Sequence, residues 1–530
     1  MVPGSSFNFI TQCFFLTSRC LSLGLLPACR KCANLERHFL HVHHRGDHEQ
    51  ASRVFAHFRA LRAQVGDPEL LEEALRFMCL AADWFIGALL PGDQPLDASL
   101  TLPLPSPPPE LIGAVPQYFL EDMVDLLGFV EDRGDPTSVA MLGRVPLHRI
   151  VDLVIVLLGS PNLIHNPHIR TKLAKALVAV HQAEVCDDLL RAHPLGQKYL
   201  SSSLLAAYGD AGQLDFYDQA PYRKDITTFL RWLWQSKEHY SQFRAIADDE
   251  QGFMSFANSI INHINSLVSE SLDRLPDIKD MMQQLADAAL PAEEREALEG
   301  RLDESEQICK MEFELANETL ALLRFISAEI QELFLRPELV ERMASMLVSL
   351  LRKLAGPRNL DLKVDNPDRY NFKPKEMLND VVTIFLHFEP YADFHRACSH
   401  SAFYDADMMR KAARTVQRLN LVGGAENDKL KSMLQAIDSA SIEVDLGEIP
   451  DEFLDPLLQT LMLDPVTLPS SGTVVDRPTI MQHLLNDSSD PFSRAPLKAD
   501  ELQPNDELKA RIEAFVKERT AAAPPSLSAE

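Results

Sequence analysis

The sequence predicts a mainly α protein. An irregular α-solenoid of armadillo-like stacked helices is expected over residues 1–446, a small α+β unit over 447–519, and a disordered tail over 520–530. Three observations carry this reading. Apolar residues recur at i, i+3 and i+4 through most of the chain, the spacing of one helix face. Glycine is scarce, 21 against 34 prolines, which disfavours an all-β protein with its many tight turns. Near Ile449–Pro450 the helical period stops, and short apolar pairs separated by turn residues take over.

Hydrophobic residues make up 46% and charged residues 24% of the 530, ordinary values for a soluble globular protein. The net charge is −26, which disfavours binding to duplex nucleic acid or to anionic lipid, since both need clustered Lys and Arg. Eight cysteines, sparse and mostly within apolar helical patterns, read as reduced, buried thiols of a cytoplasmic or nuclear protein.

The apolar run from Phe7 to Leu26 is interrupted by Asn8, Gln12, Ser18, Arg19 and Ser22 and is preceded by no basic residue. A secretory leader has a basic start and a clean apolar core, and a membrane span has about 20 mostly apolar residues. The run therefore reads as a buried helix of a soluble protein, and the sequons at Asn317 and Asn486 as unglycosylated. Cys29 and Cys32 form a C-x-x-C followed by His38, His41, His43 and His44, a pattern that invites a zinc reading. The pair lies inside a helical stretch, however, and the histidines fit a polar helix face, so no metal is expected.

Helices are expected over about 7–90, for example on the stripe Leu70, Leu71, Ala74, Leu75, Met78, Ala81 and Ala82. Eight prolines between Pro91 and Pro116 make 91–116 a linker or long surface loop. Helical period returns from Gln117. One stripe is Ile260, Ile264, Leu267, Val268, Ser271, Leu272 and Leu275; another is Val340, Met343, Met346, Leu347, Leu350, Leu351 and Leu354, closed by Gly356–Pro357. The polar segment Asp287–Gln307 reads as a solvated helical arm.

In the C-terminal unit, Val466–Leu468 and Thr473–Val475 flank Pro469–Gly472 as a β-hairpin. Asp476 is placed to cap the next helix, about Pro478–Leu485, with Ile480, Leu484 and Leu485 inward. Asn505 is placed to cap the last helix, with Asp506 and Glu507 in its first turn and Leu508, Ile512 and Phe515 inward. No phosphate-binding glycine loop, zinc-protease motif or nucleophile elbow is present.

Two stretches, PDEFLDPLLQTLMLDPVTLPSSGTVVDRPTIMQHLL and DPFSRAPLKADELQPNDELKARI, resemble a U-box. The U-box is similar to a RING finger whose zinc ligands are replaced by hydrogen bonds, ion pairs and packing. The absence of cysteine after Cys398 agrees with this, and His483 is the sole His or Cys in the segment. The helical remainder resembles the core of the ubiquitin conjugation factors that elongate chains, the ubiquitin fusion degradation family. The resemblance lies in stretches such as QYFLEDMVDLLGFV, SPNLIHNPHIRTKLAKAL, FYDQAPYRKDITTFLRWLW and FHRACSHSAFYDADM. Relative to that family the chain reads as N-terminally shortened.

The resemblance implies a ubiquitin–protein ligase without cofactor or covalent intermediate. It would bind a ubiquitin-charged conjugating enzyme and promote direct attack of a substrate lysine on the thioester, extending chains on substrates already carrying ubiquitin. By motif position, Leu457, Pro465 and Pro496 are implied contacts to the conjugating enzyme, with Pro465 also shaping the first loop. Arg494 is the implied cationic bridge between that enzyme and ubiquitin. Asp464, Asp476 and Asp490 are implied to hold the fold. An AAA ATPase of the valosin-containing type is the further implied partner, in cytoplasm and nucleus. The competing readings are a non-catalytic helical scaffold with an inert U-box, and a cysteine ligase needing a reactive exposed thiol.

Overall fold

The structure, a computed structural model, describes residues 8–44, 48–90, 96, 99–131, 136–182, 187–248, 250–286, 291–355, 367–442, 449–459, 461–462, 464–484, 489–498 and 501–522. Its contacts divide the chain into two compact units, 1–248 and 249–530. The first holds α1 (Phe9–Cys20), α2 (Leu26–His44), α3 (His48–Val65), α4 (Pro68–Leu89), α5 (Glu110–Gly113), α6 (Tyr118–Glu131), α7 (Pro136–Leu142), α8 (His148–Leu158), α9 (Pro167–Gln182), α10 (Asp187–Ala192), α11 (Pro194–Ala211), α12 (Phe216–Leu233) and α13 (Lys237–Asp248). The second holds α14 (Glu250–Leu285), α15 (Ala292–Glu329), α16 (Gln331–Phe334), α17 (Pro337–Ala355), α18 (Pro374–His387), α19 (Ala392–His400), α20 (Ala406–Arg418), α21 (Gly424–Ile442), α22 (Arg477–Leu484) and α23 (Asp506–Ala522). The fold is mainly α, with stacked helices within each unit and a small sheet near the C-terminus.

In the first unit α8 is apolar nearly all round, and Ile150 through Leu158 are buried, as expected of a helix surrounded by others. Asp152 is buried among them. It is matched by the His193 Nε2 at 2.7 Å, while Nδ1 of the same ring accepts from the Gly196 N–H and caps α11. The proline-rich segment is fastened rather than loose where it is described. Leu100, Leu102 and Leu104 alternate into the core. The Tyr199 hydroxyl donates to the Leu100 carbonyl, and the Ser160 hydroxyl accepts from the Leu104 N–H.

Several expectations for this unit change. Most of the N-terminal apolar run is not buried: α1 packs by one edge, where Phe14 and Phe15 meet Trp84 and Phe119, and Phe9 is 79% and Leu23, in the turn after α1, 70% exposed, while Leu26 is buried. The continuous helical stretch Phe9–Leu40 is long and apolar enough to cross a membrane. Interrupting polar residues spread around a helix do not define a buried face, which is why pattern alone misplaced it. Cys13 and Cys20 are accordingly exposed, whereas Cys29 and Cys32 are buried against Phe58 and Val65. Leu70 of the α4 stripe is also exposed, because it stands in the first turn beside the Asp67 cap.

In the second unit α14 and α15 form a long antiparallel hairpin. The guanidinium of Arg274 grips the nearly inaccessible Glu312 carboxylate through two bonds, 2.8 and 3.2 Å. Burial pushes the Glu312 carboxyl up, against the pull of Arg274. The first turns of α15 are largely solvated, as the polar composition dictates, while Phe313, Ala316, Leu320 and Leu323 further along are buried. Residues 287–290 and Gly356–Pro357 lie outside the described residues. The α17 stripe is buried throughout, and α17 packs against α14, α18, α19, α20 and α22. Because that one helix serves several neighbours, Leu347→Ala is expected to destabilise this unit by about 2–5 kcal/mol, read as a lower denaturant midpoint for the full chain.

Candidate functional site

Three short strands organise the C-terminal region: β1 (Pro465–Thr467), β2 (Val474–Asp476) and β3 (Gln503–Pro504), in the order β2-β1-β3 with both pairings antiparallel. The expected hairpin is present, with Val466 opposite Val475. Its turn places Gly472 at φ +68°, where a Cβ is strained. The alternating side chains Val466, Leu468 and Val475 join Ile480, Leu497 and Leu502 in one small core. Phe453, Met462 and Ile512 form a second, with Leu508 and Phe515 packed on it. Asn505 caps α23 as its sequence position requires, accepting from the Leu508 N–H at 3.1 Å. That helix continues through Ala522, past the start expected for the disordered tail, because three successive alanines favour helix until the prolines that follow. Leu485 and Asn486 lie outside the described residues.

So small a core cannot fix two loops by packing alone. Polar side chains do it. The first loop is closed by a bridge between Leu454 and Leu461, the second by one between Ser489 and Pro496. Within the first, the buried Asp455 carboxylate accepts from the Leu457 and Leu458 N–H groups at 2.8 and 3.0 Å, and from the Asp476 N–H in β2 at 2.6 Å. Within the second, the buried Asp490 carboxylate accepts from the Phe492 and Ser493 N–H groups at 2.8 and 3.1 Å, and from the Ser470 hydroxyl in the hairpin turn. Each loop also closes a main-chain bond onto its aspartate carbonyl, from the N–H of Gln459 and of Arg494 respectively, and both donors sit at positive φ. The two loops are thus the same device used twice. Each starts with Asp-Pro, and each is anchored to the same hairpin, one at β2 and one at the turn.

The Asp490 carboxyl is held well below the usual carboxylate range: burial opposes this, but hydrogen bonds from Ser470, Phe492, Ser471 and Ser493 outweigh it. Asp464 makes the third polar node. Its carboxylate takes Arg477 at 2.6 Å and Lys509 at 2.8 Å, and its N–H donates to the Asp476 carboxylate at 2.7 Å. Its carboxyl is lowered, chiefly by the Lys509 hydrogen bond. Asp476 therefore has a cross-loop partner that its expected capping role did not include.

The expected contact residues separate into two groups. Leu457 (38% exposed), Pro496 and Arg494 stand on the loop surfaces. Pro465 does not: it is buried as the first residue of β1, and its carbonyl accepts from the Asn505 N–H at 2.9 Å. Among the described residues the Arg494 side chain makes no ion pair, so it is free to meet a partner. Leu458 (49%) and Phe492 (42%) share the exposure of Leu457 and were missed from sequence, as was Asp455. The signal was the repeated Asp-Pro at 455–456 and 490–491, with Leu457 and Phe492 at equivalent places after it.

The comparisons with known proteins agree with this geometry. The ubiquitin elongating factor core matches residues 4–438, and the U-box domain matches 449–521. The chain belongs to the ubiquitin elongating factor core family. Similar members of this family include the probable ubiquitin conjugation factor E4 of Arabidopsis thaliana, 32% identical over 97% of this chain and 52% of its own length. The ubiquitin conjugation factor E4 of Schizosaccharomyces pombe is 31% identical over 79% and 43%. The E4 ubiquitin-protein ligase UFD2 of Saccharomyces cerevisiae is 30% identical over 70% and 41%. The chain spans about half the length of the curated relatives it matches.

The U-box segment contains no cysteine. Burial pushes the Cys79 and Cys309 thiols up to about 12 and raises that of Cys398, all outside the U-box. Among the described residues no cluster of three or more His, Cys, Asp or Glu is placed to hold a metal.

Two expectations test the anchors. Asp490→Asn keeps the shape but loses the charged acceptor, and is expected to lower the stability of the U-box by about 1–3 kcal/mol, read from amide hydrogen exchange over 449–522. Asp490 and Asp464 both have lowered carboxyls, so their stabilisation is complete above the unfolded aspartate value near ~3.9 and is lost progressively as pH falls below it through the lowered folded values. Exchange protection of the wild type is expected to begin falling below about pH 4 and to approach that of Asp490→Asn only as the pH falls on toward the lowered folded value of Asp490, while a strong chelator at neutral pH leaves it unchanged.

Proposed function

We propose that the chain is a U-box ubiquitin–protein ligase that elongates ubiquitin chains on substrates already carrying ubiquitin. One observation supports this most: two loops locked by buried aspartates hold Leu457, Leu458 and Phe492 out in water, beside an Arg494 that has no ion-pair partner among the described residues. Apolar side chains held in fixed exposed positions form a docking surface for a conjugating enzyme, because they need no ordering on binding. The family membership supports the chemistry, and the names of the relatives support chain elongation.

In this reading the ligase makes no bond to ubiquitin. The conjugating enzyme carries ubiquitin as a thioester. A neutral substrate or ubiquitin lysine amine attacks the thioester carbonyl, an isopeptide bond forms as the C–S bond breaks, the conjugating enzyme leaves as thiolate, and the proton lost by the amine passes to solvent. The U-box contributes position. Leu457, Leu458, Phe492 and Pro496 seat the enzyme, and the Arg494 guanidinium donates at once to the enzyme and to ubiquitin, holding the mobile ubiquitin against its carrier. That is a shift in population toward the attack-ready arrangement. An AAA ATPase of the valosin-containing type as partner, and residence in cytoplasm and nucleus, belong to the same reading on the strength of the family alone.

The deciding experiment is reconstitution with activating enzyme, conjugating enzymes, ubiquitin and ATP on a pre-ubiquitinated substrate; absence of longer chains with every conjugating enzyme tried would leave a helical scaffold. Leu457→Ala is expected to weaken conjugating-enzyme binding by about 2 kcal/mol, roughly thirtyfold, and to abolish chain growth in proportion. Arg494→Ala is expected to leave binding of the uncharged enzyme nearly intact while slowing lysine-dependent thioester discharge about tenfold or more. Equal losses in both measurements would remove the bridging role.

A further inference from the structure

In a chain of net charge −26, a groove of the first unit has four cations and one carboxylate in its lining. It holds about 380 Å³ and runs between α2 on one side and α6, α9 and α12 on the other. Arg30 and Arg37 lie two helical turns apart on one face of α2. Lys172 and Lys175 lie one turn apart on α9, and Tyr222 of α12 completes the wall.

The cations are unequally committed. Arg30 pairs with Asp122 at 3.1 Å and Asp125 at 2.7 Å, and Lys172 pairs with the same Asp125 at 3.3 Å. These ion pairs tie α2 and α9 to α6 and leave little charge for a ligand. Arg37 and Lys175 differ. Arg37 reaches only the Asn34 amide oxygen, and Lys175 has no carboxylate partner among the described residues. Both are exposed. Two uncommitted cations therefore face a cavity whose remaining lining is largely aliphatic and aromatic.

We propose that this groove binds a short acidic segment of a partner protein, its carboxylates on Arg37 and Lys175 and an apolar or aromatic side chain beside Tyr222. The volume falls in the range of ligand sites, roughly 300–1,000 Å³, and exceeds what one inorganic anion fills. The strong negative charge of the chain as a whole repels a long polyanion, so a segment carrying a few carboxylates among apolar residues suits the site better than nucleic acid. Charge complementarity confined to one groove of an otherwise acidic protein also gives selectivity, since acidic segments are disfavoured elsewhere on it.

The test uses the full chain and a fluorescent short peptide of alternating Glu and Leu with one Tyr, followed by anisotropy. Saturable binding is expected that weakens as salt rises and is absent for the peptide with Gln in place of every Glu. Arg37→Glu combined with Lys175→Glu is expected to lower affinity at least about tenfold, with thermal melting and chain-forming activity unchanged. Gly128→Leu provides an independent block: Gly128 lines the groove, and a Cβ there meets nothing within 4 Å, so the added side chain fills the groove without altering its charge. It is expected to abolish binding. No binding of the acidic peptide, equal binding of the Gln peptide, or affinity unchanged in both variants overturns the proposal. Equal competition by inorganic phosphate or by a single-stranded RNA also overturns it, in favour of a simple anion site or a nucleic-acid site.

Discussion

A buried carboxylate that accepts from the backbone of its own loop and from a neighbouring strand or turn is the interaction on which the C-terminal region depends. A RING-like fold has two long loops and too little core to hold them. Metal ions solve that problem by drawing side chains from both loops onto one point. Here Asp455 and Asp490 solve it instead. Each gathers two loop N–H groups and a third donor from the hairpin. An isolated buried carboxylate is costly, but one whose lone pairs are filled in this way is tightly held in a single geometry. At Asp490, whose carboxyl those donors hold below the usual carboxylate range, the anchor depends on ionisation.

The rigidity has a functional consequence. Under the proposed function, a ligase that forms no covalent intermediate contributes only position, and position is worth most when the surface presenting it does not move. Leu457 and Phe492 follow their anchoring aspartates by two residues each, and the N–H of each is itself one of the anchored donors. The exposed apolar side chains are therefore fixed at their roots. Further back, α22 packs on α17, the helix that also contacts α14, α18, α19 and α20. The loops are thus connected, through one helix, to the body of the second unit.

Much of this was legible in the sequence, and the limits have physical causes. The buried stripes of α14 and α17 followed directly from helical period, since every apolar position on them faces a neighbour. The run at Phe9–Leu26 failed because composition shows that a helix is apolar without showing whether anything covers it. In the U-box, resemblance singled out Leu457, Arg494, Pro496 and Asp490, of which the first three are exposed and the last buried. It passed over Asp455, whose role shows only when the internal repetition of Asp-Pro is set beside the hydrogen bonds. Pro465 was implied as a contact by motif position, yet as the first residue of β1 it is buried, as is Val466 next to it, because β1 is covered on both faces there.

Net charge illustrates the same limit on a larger scale. The value of −26 is a sum, and it disfavours partners that respond to the whole field, such as duplex nucleic acid or an anionic bilayer. It is silent about local fields. In the first unit, Asp122 and Asp125 occupy Arg30 and Lys172, and it is this pairing that leaves Arg37 and Lys175 as the uncommitted charges of the groove. In the second unit, Arg477 and Lys509 are occupied by Asp464, while Arg494 is not occupied at all among the described residues. An excess of acid over base would be expected to neutralise every cation on the surface. Where geometry has kept a cation clear of that excess, as at Arg494 on a loop whose one aspartate is turned inward, the charge remains available to a partner, and the acidity of the surroundings makes such a position more selective rather than less.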